Sequence, residues 1–133
     1  MAVLDKHQTV AAPFALASEM VVVEYDFAVD GGSIADYDVI TADGNLLVEL
    51  LNIDVEAAIT GAGCVMDLGK GAGGTEFKSD LAVATTLLDA QIAADTPGTI
   101  VELADGEKIV FGIEVGASTA GKVQMMFKVY KRH

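Results

Sequence analysis

The chain has 133 residues, the size of one domain with a core of its own. Its formal charge of −12 argues against a nucleic-acid-binding protein, because phosphate contacts require clustered lysines and arginines. No apolar stretch reaches the roughly 20 residues of a membrane-spanning helix, and residues 1–7 lack a secretory signal pattern. We therefore expect a soluble protein that is not exported by the general secretory route and binds neither membranes nor nucleic acids.

Residues 1–18 show neither a helical nor a strand period and are predicted to form an extended N-terminal arm before a domain at 19–133. Pro13 lacks a backbone donor and favours extended geometry at the residue before it. Such a terminus is mobile alone and is expected to become ordered by burying apolar side chains on a neighbouring subunit or another protein. The side chains concerned are Val3, Leu4, Val10, Phe14 and Leu16.

The first strand is predicted at residues 19–29, where apolar and polar side chains alternate, and the glycines after Asp30 end it. A second strand is predicted at 34–41. The leucines of 46–51 could lie on one side of a short helix, but residues 51–56 alternate and favour a strand.

Cys64 is the only cysteine, which excludes an intrachain disulfide. It alternates with Met66 and Leu68, which indicates a buried small apolar side chain rather than a reactive thiol. The two histidines, His7 and His133, lie near the chain ends, so no His/Cys cluster has metal-ligand spacing. We expect no metal site and no cofactor.

Residues 69–74 read GKGAGG and match the spacing GxGxxG. A dinucleotide site would need a helix to begin there, so that its first amides meet the pyrophosphate. The sequence from Thr75 to Asp80 starts a helix poorly, and Gly71 stands where a P-loop has Ser or Thr after Lys70. A plain flexible loop is therefore predicted.

Residues 80–95 could form one or two turns of helix, and a short strand follows at 99–103. The runs 107–115 and 122–130 both alternate with a period of two. Because a six-residue Gly/Ser/Thr turn joins them, they are predicted to form a hairpin.

The last strand is basic in an acidic chain: all 20 acidic residues precede position 115, whereas residues 121–133 contain four basic residues and no acid. We expect this strand to pair beside an acidic one such as 19–29. Alternatively, the basic end docks on an acidic partner.

Seven or eight short strands separated by Gly, Asp, Asn and Pro turns indicate an all-β fold, an antiparallel β-sandwich or jelly roll. The core between its sheets is predicted from the alternating positions Val21, Val23, Tyr25, Phe27, Ile53, Val55, Ile109, Phe111, Ile113, Val123, Met125 and Phe127.

Candidate catalytic groups are few. The pairs Asp36/Asp38 and Asp54/Glu56 could do acid–base chemistry or hold Ca²⁺, because residues two apart on a strand share a face. In a chain with 20 acidic residues such pairs arise by chance and face solvent. Three serines lie in predicted turns without a histidine base: Ser33, Ser79 and Ser118. We expect no enzymatic activity; a sandwich-fold hydrolase would rest on the carboxylate pairs alone.

The segments 24–32 (EYDFAVDGG) and 118–130, with a strand ending at Val55 and the glycine-rich stretch 61–74 between them, resemble head-decoration (cement) proteins of tailed bacteriophages. The resemblance covers residues 19–131. It implies a non-enzymatic virion protein that is made in the host cytoplasm, binds the outer capsid surface and stabilises contacts between capsomers. The implied partners are the major capsid protein and its own copies, as a homotrimer.

Interface candidates are the five apolar side chains of the arm together with Met126, Tyr130, Lys131 and Arg132. Tyr130 is predicted on the outer face near Met126, either as an interface anchor or packed over a sheet edge. The alternative function is a carbohydrate- or receptor-binding module of a phage tail. Sugar sites use stacked aromatic rings, and the chain has no Trp and three Tyr, of which Tyr25 is expected to be buried.

Overall fold

The computed structural model describes residues 2–11, 18–61, 63–82, 91–92 and 94–131. These residues form ten strands and one short helix. The elements are β1 (Ala2–Ala11), β2 (Ser18–Asp26), α1 (Phe27–Asp30), β3 (Ala35–Asp43), β4 (Leu46–Thr60), β5 (Cys64–Lys70), β6 (Lys78–Ala82), β7 (Gln91–Ile92), β8 (Ile100–Leu103), β9 (Lys108–Val115) and β10 (Ala120–Lys131).

The strands form two sheets. Sheet 1 has the order β1-β3-β9-β5-β6, and sheet 2 has the order β2-β10-β4-β7 with β8 also paired to β4. Among the described pairs, β1 and β3 run parallel and the others run antiparallel. The predicted all-β sandwich is confirmed.

One apolar core lies between the sheets. Tyr25 of sheet 2 contacts Tyr37 and Phe111 of sheet 1, with ring centroids 6.0 and 5.4 Å apart. The alternating positions predicted to point inward are buried, except that Phe27 is only partly so. Cys64 is buried as predicted, and burial raises the pKa of its thiol.

The predicted hairpin of the last two strands is wrong. β9 lies in sheet 1 between β3 and β5, and β10 lies in sheet 2 between β2 and β4. Residues 116–119 therefore carry the chain from one sheet to the other. Both strands alternate because both line the same core, so alternation alone does not distinguish a hairpin from a connection between sheets.

The first predicted strand ends earlier than expected. The Asp26 side chain accepts a hydrogen bond from the N–H of Ala28 at 3.0 Å, and Gly31, at φ 78°, donates to the Phe27 carbonyl. Together they cap one helical turn, in the positions that favour Asp and Gly. Val29, predicted inside the strand, is therefore exposed.

Residues 2–11, expected in the arm, form β1 of sheet 1, and Leu4 is buried in the core of its own chain. The pairing of β1 with β3 shifts register between Val3 and Gln8. Because of this irregularity the apolar residues of β1 do not alternate with polar ones, so the sequence pattern gives no strand signal there. Residues 12–17 lie outside the described part of the chain, and the domain boundary at residue 18 stays a prediction.

The ambiguous leucines belong to β4, which pairs with β10 along one side and with β8 and β7 along the other. The short helix expected within residues 80–95 falls mainly on residues 83–90 and 93, outside the described residues. Within that stretch, residues 80–82 belong to β6 and residues 91–92 form β7.

Candidate functional site: the outer faces and one end of the sandwich

The outer face of sheet 2 is built around β10, the strand that carries the basic end of the sequence. β10 pairs with the acidic strand β2 along nine residues, from Lys122 opposite Asp26 to Tyr130 opposite Ser18, which confirms the predicted pairing. The Lys122 ammonium lies 3.6 Å from Glu24 on one side and 3.7 Å from Glu56 on the other. The Lys122 side chain is 37% exposed, so these ion pairs contribute only about 0–1 kcal/mol each to stability.

Tyr130 lies on this face in the middle of sheet 2, not over a sheet edge. Its hydroxyl donates to Glu49 Oε1 at 3.3 Å, and the Lys128 ammonium is 5.4 Å from the centre of its ring. A cation over an aromatic face is attractive at this distance. The ring is therefore held between a carboxylate and an ammonium while remaining partly exposed.

Apolar side chains form a band across the same face, which we call the sheet 2 band. Its exposed members are between 37% and 61% accessible, and Met126 lies half-buried opposite Val22. Large apolar side chains exposed together are typical of interaction surfaces. The exposed members are Met20, Val22, Leu51 and Ile100.

The structure places the predicted interface residues in different parts of the molecule. Met126 and Tyr130 share the sheet 2 face, whereas Leu4 is in the core. Val3 and Val10 lie in β1 and Lys131 ends β10, and the orientations of these three side chains are not described. Phe14, Leu16 and Arg132 are outside the described residues.

A second exposed group, missed by the sequence analysis, lies at the end of the sandwich where β9 crosses to β10. Val29, Ile34 and Val115 are 57%, 58% and 77% exposed there, and we call these three residues the apolar end. A sequence signal existed for Val29 alone, in the Asp and Gly that cap α1.

Val115 has an unusual backbone. Its φ is 68°, in the left-handed region, and the N–H of Gly116 donates to the carbonyl of Glu114 at 2.8 Å. A three-residue turn of this hand is rare and strained, and a β-branched side chain makes it more so. The strain is of order 1–3 kcal/mol.

Hydrogen bonds from the core fix the loop beside Val115. The buried Tyr25 hydroxyl donates to the Gly31 carbonyl at 2.8 Å, and the Tyr37 hydroxyl donates to the Ser33 carbonyl at 2.9 Å. Burial raises the pKa of Tyr25 to about 12 and also raises the pKa of Tyr37. Both hydroxyls therefore remain protonated donors at neutral pH.

Ser118 ties the β9–β10 connection to the same loop. Its N–H donates to the Gly32 carbonyl at 2.8 Å, and its hydroxyl donates to the Ala120 carbonyl. A Cβ at Gly32 would overlap the Ser118 carbonyl oxygen, so glycine is required there. Ser118 lies in the connection between strands, as predicted, and its two hydrogen bonds stabilise that turn.

The outer face of sheet 1 carries a groove of about 360 Å³. Two ion pairs border it: Lys70 with Glu107 at 3.1 Å, and Lys108 with Asp38 at 2.8 Å. Asp38 is 4% exposed. The expectation that the paired carboxylates face solvent is therefore wrong for this residue. Asp36, Asp54 and Glu56 are partly exposed. In the part of the chain that the structure describes, no three His, Cys, Asp or Glu side chains are grouped to hold a metal ion.

The glycine-rich segment leads into a strand rather than a helix, so it lacks the helix N-terminus of a dinucleotide site. The backbone folds back between Gly69 and Gly74, and a Cβ on either glycine would meet the other's backbone at 2.5–2.8 Å. The loop ends at Phe77, which is fully buried and lies 6.0 Å from the Phe127 ring.

The sequence matches no protein-family model and no curated protein. Among solved structures, a chain described as "Cyanophage Pam1 capsid asymmetric unit" is similar in fold, with a TM-score of 0.56 over 94% of each chain and 18% identity. Within the described residues, no helix has the length and apolar character needed to span a membrane. The two-sheet body therefore has a known counterpart in a solved phage capsid unit.

Proposed function

We propose that this chain is a non-enzymatic structural protein of a bacteriophage virion that binds the outer capsid surface and stabilises contacts between capsomers. The observation that carries the proposal is the fold, which matches a chain of a cyanophage capsid unit over 94% of both chains. The resemblance of segments 24–32 and 118–130 to head-decoration proteins supports the same function. Its location is the capsid surface, after synthesis in the host cytoplasm.

The sheet 2 face supports contacts between copies of the chain. Lys122 and Lys128 lie on its central strand, and acidic side chains such as Glu24 and Glu102 lie on the flanking strands. The sheet 2 band can form the apolar part of a contact between copies, and the charged side chains around it can form the polar rim. A homotrimer repeats this contact three times, with Met126 and Tyr130 inside it.

The contact with the major capsid protein is left to other surfaces. Val3, Val10, Phe14 and Leu16 of the predicted arm, and Lys131 and Arg132 at the end of the chain, remain candidates for it. Leu4 contributes instead to the core of its own chain.

The test is the copy number and position of the chain in purified virions, by quantitative mass spectrometry and a cryo-electron microscopy map. We expect many copies on the outer shell, in a fixed ratio to the major capsid protein. Absence from the virion would overturn the proposal. A few copies on the tail, together with binding on a glycan array, would support the carbohydrate- or receptor-binding alternative instead.

A further inference from the structure

We propose that two aspartates on the outer face of sheet 1, Asp36 and Asp38, bind a hard divalent cation, Mg²⁺ or Ca²⁺, beside Gly112. The sequence led us to expect no metal site, and three features of the structure argue for one: a buried oxygen without a partner, open space next to it, and a carboxylate held in place from behind. This cation site is independent of the proposed function, because the isolated protein would hold it.

The pairing of β3 with β9 brings the two carboxylates to one place. Asp36 and Asp38 are two residues apart on β3, and they pair with Gly112 and Val110 of β9. Residues two apart on a strand share a face. That face is the outer one, because Tyr37, the residue between the two aspartates, belongs to the core.

Asp38 supplies the buried oxygen without a partner. Its side chain is 6% exposed, its Oδ2 accepts a hydrogen bond from the Lys108 ammonium at 2.8 Å, and its Oδ1 has no hydrogen-bond partner in the described chain. Lys108 and Gly112 lie on opposite sides of Val110 along β9, so the oxygen that Lys108 leaves free is turned towards Gly112. Buried carboxylates are paired or coordinate metal ions, and here one oxygen of the two is left for an ion.

Gly112 provides the open space. A Cβ at this position would lie 3.0 Å from Asp36 Oδ1 and 4.0 Å from Glu114 Oε1, so the absent side chain leaves room beside these oxygens. No hydrogen bond or ion pair joins Asp36 to another described residue. A cation in this space would therefore meet a carboxylate that the described part of the chain leaves unneutralised.

The charge around Gly112 also favours a cation. Asp67 of β5 is 5% exposed and pairs with Gly112 on the side away from Asp36, so carboxylates of three neighbouring strands surround the glycine. Asp67 and Glu114 have other interactions within the chain, so they contribute negative potential rather than ligands.

Two carboxylates suit a hard cation that keeps part of its water. Mg²⁺ and Ca²⁺ prefer oxygen ligands, and Mg²⁺ usually keeps several waters and is bound through one or two carboxylates. Water therefore completes the coordination, which agrees with the lack of three grouped metal-binding side chains among the described residues. Lys108 has the position of an outer partner, since its hydrogen bond to Oδ2 orients Asp38 towards the ion.

The experiment titrates the full-length protein, freed of metal with EDTA and dialysed, with MgCl₂ or CaCl₂. Isothermal titration calorimetry measures binding, and thermal unfolding measures stability. NaCl of equal ionic strength is the blank, because screening alone affects a chain with a charge of −12. We expect a dissociation constant of about 0.1–1 mM. At ten times that concentration the unfolding midpoint should rise by about 3–6 °C over the blank.

Two variants test the site by different routes. Asp36→Asn removes one of the two charged ligands and should weaken binding about tenfold or more. Gly112→Ala fills the space beside Asp36 Oδ1 and should weaken binding to a similar degree, while only the end of the Asp36 side chain has to move, so the variant folds. The matched control Asp54→Asn removes the same charge from a partly exposed position of β4 in sheet 2 and should change the affinity by less than about twofold.

The cation site is overturned if MgCl₂ and CaCl₂ affect the wild-type protein no more than NaCl does. It is equally overturned if Asp36→Asn and Gly112→Ala both keep the wild-type affinity. A response to either ion that is lost in both variants and kept in Asp54→Asn supports the site, and the tighter of the two ions is its occupant. None of these results bears on capsid binding, so the proposed function is tested by the virion measurements alone.

Discussion

The Lys108 ammonium donates to Asp38 Oδ2 at 2.8 Å on the outer face of sheet 1, and this contact compensates a carboxylate that is almost completely buried. The other oxygen of Asp38, Oδ1, has no hydrogen-bond partner. A buried carboxylate whose cation is removed costs more than the ion pair contributes, because the charge remains without water.

We therefore expect Lys108→Met to lower the free energy of unfolding by about 2 kcal/mol. This is less than for a fully buried pair, because the Lys108 side chain is 38% exposed and water can partly replace it. Urea denaturation of the two single variants and of the double variant Asp38→Val/Lys108→Met gives the interaction free energy between the two side chains. The double variant should recover most of the loss, and a loss that persists in full would show that packing of Lys108, rather than charge, is responsible.

A second prediction concerns high pH. The Tyr25 pKa of about 12 lies above the ordinary value of 10.0 because the ring is buried. The folded state therefore holds the Tyr25 proton more tightly than the unfolded state does. The corresponding part of the free energy of unfolding is fully present below pH 10 and is lost as the pH rises from 10 towards 12. Titration of one group can lower the free energy of unfolding by at most about 1.4 kcal/mol per pH unit.

Tyr25→Phe removes this titration and also the hydrogen bond to Gly31, at a cost of about 1 kcal/mol at neutral pH. Tyr37 titrates in the same direction in both proteins and cancels in the comparison. Urea denaturation between about pH 8 and 11 should show the wild-type protein losing stability more steeply, so that the two proteins converge. If the free energies of unfolding of the two proteins fall in parallel with pH, Tyr25 is not the group whose titration destabilises the wild-type protein.

Sequence patterns located the buried side of most strands because one face of each strand lines the core. Alternation identified Val21 and Val23 on β2 and Val123 and Met125 on β10. Alternation does not identify which strands pair with each other. β9 pairs with β3, but its sequence would show the same alternation if it paired with β10. The charge contrast between β2 and β10 did carry that information, through pairs such as Lys122 with Glu24.

Other features leave little or no local signal. Phe77 follows a polar, glycine-rich loop and is buried because the loop folds back, so that its N–H reaches the carbonyl of Leu68. The strain at Val115 depends on where the chain must turn towards sheet 2. Of the candidate surface, Met126 and Tyr130 could be placed by alternation, whereas the apolar end is assembled from three separate segments.

A third prediction tests the crowding around Gly121. Its φ is 130°, and a Cβ there would lie 2.5 Å from Ile59 Cγ1 and 2.7 Å from the Ile59 backbone. Gly121→Ala should therefore destabilise by about 2–4 kcal/mol, from strain and from displacement of a buried neighbour.

Gly98→Ala is the matched control for Gly121→Ala, because Gly98 also has positive φ, 88°, but has open space around it. Strain alone should cost about 1 kcal/mol there. Equal losses measured by thermal unfolding would show that the backbone conformation, and not the contact with Ile59, determines the effect.

A fourth prediction concerns association through the sheet 2 face. Val22→Lys places a charge in the middle of the sheet 2 band, opposite Met126, and should shift the proposed homotrimer towards monomers in sedimentation velocity. Thr96→Lys adds the same charge on an exposed loop and should leave the assembly unchanged. A wild-type protein that stays monomeric at all concentrations, or a Val22→Lys protein that assembles normally, would rule out this face as the contact between copies.

The fifth prediction decides whether residues 2–11 act as part of the folded body. Leu4 is 1% exposed, so Leu4→Ala should lower the free energy of unfolding by about 2–4 kcal/mol through lost burial and an unfilled cavity. Gln8→Ala, on the same strand but exposed, should change it by less than about 0.5 kcal/mol. If both variants unfold like the wild-type protein while capsid binding is lost in Leu4→Ala, the segment behaves as the arm that its sequence suggested. If Leu4→Ala is destabilised as expected, any tether to the capsid shell must lie elsewhere in the chain, because β1 is then needed to complete sheet 1.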